Sequence, residues 1–286
     1  MDKFEKLRDM ESFSDDMFNR IFGFQQKLHP AWNTTLSFDQ RIQDLPLHYL
    51  VFSNPDRDPK QFGSTVAPYY PLRGEMRTLA HYIKQVAQNP VVCDLHPGNG
   101  FTGSLLAREG VKVIGVRDAQ AKPNQIKDFY DGACYEMREA RIEQIGFAFD
   151  VALSSWMPAG ENFTPQILRY TPKLIIFIHT DHVDETTHIP QTGTPEAFRD
   201  LPARYQLIAE WSITRPQDMF HEIWPDLSQN IEETRRVKIY ADAPFHHLAA
   251  PGDELGGEKY PWENELDMIL LALEAKTHLR AMGHQL

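Results

Sequence analysis

The sequence predicts an α/β fold: a doubly wound, seven-stranded, mostly parallel sheet with an antiparallel final strand pair, preceded by an N-terminal helical and irregular cap. Three observations predict it. From residue 75 onward, strand-like and helix-like segments alternate. The strand-like segments are apolar on both faces, as strands covered by helices on both sides must be. The last two, YQLIAEWSI and RVKIYA, are joined without a clear helical pattern, which predicts an antiparallel edge pair.

Residues 1–74 form the cap. Met10–His29 shows helical spacing of Phe13, Met17, Ile21, Phe22 and Phe24, and Pro30–Pro71 reads as irregular and aromatic. The sheet domain spans 75–242. Its first helix, Glu75–Ala87, sets Met76, Leu79, Ala80, Ile83 and Ala87 on one face, and Asn89-Pro90 stops it. Strands follow at Val91–Leu95, Val111–Val116, Ala133–Met137, Phe149–Ser154, Lys173–His179, Tyr205–Ile213 and Arg236–Ala241. Helices are expected at Thr102–Glu109, Asn124–Tyr130, Ala140–Gly146 and Thr164–Tyr170. Residues 243–286 are a loop and a terminal helix, Asn264–Met282, whose Leu266, Ile269, Leu270, Leu273 and Leu279 pack it on the core.

Composition narrows the function. The 286 residues carry a net charge of −11, which opposes a polyanionic partner, so nucleic acid is not the expected ligand. Arg235, Arg236 and Lys238 read as a solvated, strand-flanking cluster. Cys93 and Cys134 cannot build a disulfide framework, and Cys93 reads as a small buried hydrophobe. No apolar run approaches a membrane span, and the charged start MDKFEKLRDMESFSDD is unlike a signal peptide. A cytoplasmic location is expected. HTDHVDETTH offers His179, Asp181, His182 and His188, but in no zinc-signature spacing, so no metal is expected.

The segment VVCDLHPGNGFTG places Gly98, Gly100 and Gly103 in G-x-G-x-x-G spacing. In a dinucleotide site the first glycine follows the strand directly, so that pyrophosphate reaches the helix N-terminus. Here Leu95, His96 and Pro97 separate Gly98 from Asp94, and an acid at the strand's end repels pyrophosphate while suiting a ligand with an amino group. Asp118, about twenty residues beyond Gly98, fits an acid for a ribose hydroxyl, and the Arg117 before it equally suits NADP.

DLHPGNG at 94–100 resembles the first motif of class I S-adenosylmethionine (SAM) dependent methyltransferases, and the resemblance extends over about residues 70–242. It implies that Asp94, His96, Pro97, Gly98 and Gly100 line a SAM site. It further implies Asp118 at the ribose and Glu139 or Ala140 at the adenine amine. Ser154, Ser155 and Trp156 then lie where methyl transfer occurs. Tyr70 and Arg73 cover the cofactor, with Arg73 pairing its carboxylate. His179, Trp156 and Asp181 are the candidate catalytic residues.

Three positions depart from the family pattern. His96 stands where glycine is usual, Arg117 where the ribose acid is usual, and SSWMP replaces the amino-methylating N/D-P-P-F/Y. The resemblance implies methyl transfer; the aromatic cap and acidic surface favour a small-molecule acceptor over nucleic acid, and a homo-oligomer is expected through the cap. Arg117 and His96 motivate an alternative, a methyltransferase-like binding or assembly subunit without turnover. A nicotinamide-dependent oxidoreductase rests on the glycine spacing alone.

Overall fold

The computed structural model describes Asn19 and residues 28–45, 71–118, 128–181, 183, 187–214, 234–252 and 257–283. Seven strands form one sheet: β1 Val91–Asp94, β2 Lys112–Arg117, β3 Tyr135–Glu139, β4 Val151–Ser155, β5 Leu174–Thr180, β6 Tyr205–Thr214 and β7 Thr234–Asp242. Their order is β3-β2-β1-β4-β5-β7-β6. β1 to β5 pair in parallel, and β7 runs antiparallel to both β5 and β6. Doubly wound parallel strands with an antiparallel terminal pair are what the alternation predicted.

Five α-helices are described: α1 Phe38–Ile42, α2 Arg73–Lys84, α3 Phe101–Arg108, α4 Thr164–Leu168 and α5 Pro261–Ala281. Apolar residues alternate across each central strand, so two cores form. One lies beneath α2 and α3 and contains Leu79, Ile83, Leu105, Leu153, Ile176 and Trp262. The other contains Cys93, Ala152, Met157, Ile167, Phe177 and Phe198. Cys93 is fully buried, as its setting in an apolar run required. Among the described residues no helix is long and apolar enough to cross a membrane.

Several expected elements differ. Within Pro30–Pro71 the chain makes a 3-10 turn at Pro30–Trp32 and the short helix α1. A capping box starts α1: Gln40 N–H donates to Ser37 Oγ at 3.3 Å, and Ser37 N–H to Gln40 Oε1 at 3.0 Å. Phe38 and Ile42 then enter the core beside Phe101 and Phe129. Of Asn124–Tyr130, only 128–130 lie among the described residues, and they are not helical. The third strand starts at Tyr135 because Asp131 turns the chain, its carbonyl accepting from the Tyr135 N–H at 3.0 Å. Ala140–Gly146 shortens to a 3-10 turn at Ile142–Gln144. The expected Met10–His29 helix lies almost wholly outside the described residues.

The surface reading of Arg235 is also corrected. It is 1% exposed, and its Nη1 donates to Glu75 Oε1 at 2.9 Å and to Oε2 at 2.8 Å. Trp211 Nε1 donates to the same carboxylate at 3.1 Å. A buried charge is tolerable only when paired in this way. The pair fastens the start of α2 to β6 and β7. The C-terminal helix holds the same segment: Trp262 Nε1 donates to Pro71 O at 2.7 Å, and Glu263 Oε2 accepts the Arg73 N–H at 3.0 Å.

Candidate functional site

β1 pairs β2 on one side and β4 on the other, so the connections leaving β1 and β4 diverge at their carboxyl ends. That switch point is where open α/β sheets bind ligands. The loop from β1 to α3 sits there. Gly98 has φ 54° and Gly100 φ 84°, left-handed values that favour glycine. The Gly100 N–H donates to Pro97 O at 2.7 Å, closing the turn, and Asn99 Oδ1 accepts the Phe101 N–H at 3.1 Å to start α3.

Asp94 ends β1 at 1% exposure. Tyr135 Oη donates to its Oδ2 at 3.2 Å, while among the described residues Oδ1 has no hydrogen bond. Burial raises its pKa to about 7, against the opposing hydrogen bonds from Tyr135 and the His96 N–H. His96 Nδ1 shares a hydrogen bond with Ser154 Oγ at 2.9 Å, its ring leans on Phe163, and its buried Nε2 has no hydrogen bond among the described residues. Burial lowers the His96 pKa to about 3, so the ring is neutral at physiological pH. The carboxyl edge thus presents two unpaired polar atoms, Asp94 Oδ1 and His96 Nε2, beside a glycine turn.

The other expected residues distribute unevenly. Ser154 and Ser155 are buried at the end of β4, and Trp156 follows at φ 62°, a left-handed conformation that is costly for so bulky a residue. His179, 1% exposed at the end of β5, stacks on Phe198 with ring centres 4.1 Å apart. Burial lowers its pKa to about 4. Asp181 Oδ1 is 3.6 Å from its Nδ1, too long for a hydrogen bond, and Asp181 pairs with Arg236 instead. Glu139 is exposed at the end of β3, and the Ala140 N–H is taken by Arg117 O at 3.0 Å. Among the described residues no three His, Cys, Asp or Glu side chains cluster to hold a metal.

Arg73, Asp118 and Gly100 have neighbours that the sequence did not show. Arg73 forms ion pairs with Glu109 at 3.7 Å and Glu258 at 3.6 Å. Glu109 caps the C-terminal end of α3, the end remote from the glycine loop. Asp118 faces Arg141 at 3.8 Å. A side chain on Gly100 would meet Tyr130 Cδ1 at 2.7 Å, so the chain's own aromatic fills that direction. Tyr70 and His182 lie outside the described residues.

Sequence reasoning missed the contacts that surround the loop. Arg117 Nη2 donates to Gly98 O at 2.8 Å and to Asp128 Oδ1 at 2.6 Å. The Phe129 N–H donates to Asn99 O at 2.9 Å, and the Asp131 N–H to Ser104 Oγ at 2.8 Å. Residues 128–131 are therefore sewn along the glycine loop and the first turns of α3.

The strand order, with β7 alone reversed against its neighbours, decides the architecture. The chain has the class I methyltransferase fold. No family model and no curated protein matches the chain. Solved structures similar to it include coclaurine N-methyltransferase bound to N-methylheliamine and SAH (14% identity, 82% of this chain and 95% of that one, TM-score 0.37). Another is magnesium protoporphyrin IX methyltransferase from Synechocystis PCC 6803 with bound SAH (12% identity, 59% and 83%, TM-score 0.39). A third is the [4+2]-cyclase SpnF (9% identity, 58% and 80%, TM-score 0.38). A fold hosts many chemistries, so function must be argued from the site.

Proposed function

We propose that the protein is a SAM-dependent methyltransferase acting on a small molecule. The observation that carries this reading is the β1–α3 loop. Two left-handed glycines turn the backbone at the switch point, beside Asp94 Oδ1 and His96 Nε2, which have no hydrogen-bond partner among the described residues. Buried polar atoms without partners cost free energy, and a polar ligand satisfies them. The loop fits the amino-acid end of SAM on these grounds.

When bound, SAM supplies a methyl group on a sulfonium, an electrophile for in-line displacement. Asp94, His96 and the Gly98–Gly100 backbone hold that end, and Ser154 fixes the orientation of the His96 ring. His96 and His179 are uncharged in this setting and act as hydrogen-bonding groups rather than as cations. Proximity and orientation supply much of the acceleration in such a displacement, and a base is needed only if the acceptor must lose a proton. The net charge of −11 favours a small acceptor over a nucleic acid.

A second reading, a binding or assembly subunit without turnover, draws on Arg117 and Tyr130. The arginine ties Gly98 O, and the tyrosine covers Gly100. Calorimetric titration with S-adenosylhomocysteine (SAH) separates the two. Micromolar binding is the expected result. No heat at millimolar ligand overturns the methyltransferase reading and favours the second.

A further inference from the structure

Nucleotide-binding doubly wound sheets set an acid at the end of the second strand to accept from a ribose hydroxyl. By sequence position that acid is Asp118. In the structure Asp118 lies beside Arg141, toward β3. The carboxylate brought to the glycine loop belongs to Asp128. One nitrogen, Arg117 Nη2, donates both to Asp128 Oδ1 at 2.6 Å and to Gly98 O at 2.8 Å. Asp128 Oδ1 therefore lies within two hydrogen-bond lengths of the loop carbonyl. The backbone N–H of the next residue, Phe129, is bonded to Asn99 O at 2.9 Å, so main chain as well as side chain holds Asp128 against the loop.

We infer that Asp128, presented by Arg117, is the residue that engages the ribose diol of an adenosyl ligand; this rests on the SAM reading above. Asp128 suits the task in three respects. Its side chain is 47% exposed, so a ligand reaches it without rearrangement of the core. Among the described residues nothing hydrogen-bonds its Oδ2, which is left to accept from a hydroxyl. Its orientation is fixed in advance by an arginine, whose donors form charge-assisted bonds to a carboxylate. Arg117, which departs from the family pattern by replacing the acid, is a positioning residue that brings an acid from the β2–β3 connection. A phosphate at the same place would set its charge beside Asp128, so the geometry favours a free diol over a phosphorylated ribose.

The test is calorimetry on the full chain with SAH, its 2′,3′-dideoxy analogue and NADP. The proteins are the wild type, Asp128→Asn, Asp118→Asn and Arg117→Lys. The wild type should prefer SAH to the dideoxy analogue by about 10-fold or more, the worth of a hydrogen bond to a charged group. Asp128→Asn should weaken SAH by a similar factor and remove that preference while leaving the analogue unchanged. Arg117→Lys should reduce the preference, and Asp118→Asn should retain it. The assignment is overturned if Asp128→Asn keeps the preference or if Asp118→Asn removes it. A wild type that binds neither adenosyl ligand, or that binds NADP in their place, brings down the SAM reading as well. Binding of SAH with an undiminished preference in Asp128→Asn brings down this inference alone.

Discussion

Replacing Asp94 by asparagine should flatten the dependence of stability on pH. The carboxyl is 1% exposed, and burial lifts its pKa from 3.8 to about 7. Between those values the folded protein keeps a proton that the unfolded chain has lost. Stability therefore falls as pH rises through that window and is not recovered above it. Roughly three pH units at about 1.4 kcal/mol each set a ceiling of about 4 kcal/mol. Between pH 4.5 and 8 the wild type loses up to roughly 3 kcal/mol through this one group. His96 and His179 act in the opposite sense. Their pKa values lie at about 3 and about 4 instead of 6.5, so their contribution is lost as pH falls below 6.5. Both remain in the variant, so the difference between the two proteins isolates Asp94. Urea midpoints at intervals from pH 4.5 to 8 measure it. The amide imposes a constant offset at every pH, whereas the gap between the proteins should move in favour of the variant as pH rises. Parallel profiles for the two proteins would refute the reasoning.

Gly103→Ala should destabilise by about 1–3 kcal/mol, although alanine is the better helix former. Its Cβ would stand 2.5 Å from Asp94 Oδ2 and would also meet the Tyr135 ring. Urea unfolding reads the sign, and a stabilised variant would show that α3 can shift freely. Glu75→Gln should cost about 3–5 kcal/mol because it leaves Arg235 charged and buried. Glu136→Gln, which breaks an exposed pair with Arg138, should leave stability almost unchanged. Equal losses in thermal unfolding of these two variants would contradict the burial argument.

The strands were legible because runs such as KLIIFIH must be covered on both faces, and β5 is buried along its whole length. The antiparallel pair was legible from the missing helix between its members. The α1 helix was missed because five residues are too few to show a period, although Ser37 and Gln40 hold the spacing of a capping box. Arg235 was misread because its partner, Glu75, lies 160 residues away in the chain. At the site, local spacing located the glycine loop and Asp94. It could not show that Arg117 turns back to Gly98, since that contact depends on β2 lying beside β1. Nor could it show that Tyr130 and Tyr135 fill the space beside Gly100 and Gly103.

Residues 71–75 are secured by partners that emerge from the ribosome much later. Pro71 waits for Trp262, 191 positions on; Arg73 waits for Glu263, 190 positions on; and Glu75 waits for Arg235, 160 positions on. At about 5–20 residues per second, the delay before the last of these bonds closes is roughly 10–40 s. Until Arg235 emerges the Glu75 carboxylate lacks its cation, and until Trp262 and Glu263 emerge Pro71 and Arg73 lack their partners. Closure of long loops belongs late in folding. A chain interrupted shortly before Trp262 would carry all seven strands and the Glu75–Arg235 pair, yet leave Pro71 and Arg73, at the entry to α2, without Trp262 and Glu263. For a nascent molecule, the C-terminal helix is thus the clasp that completes the sheet domain.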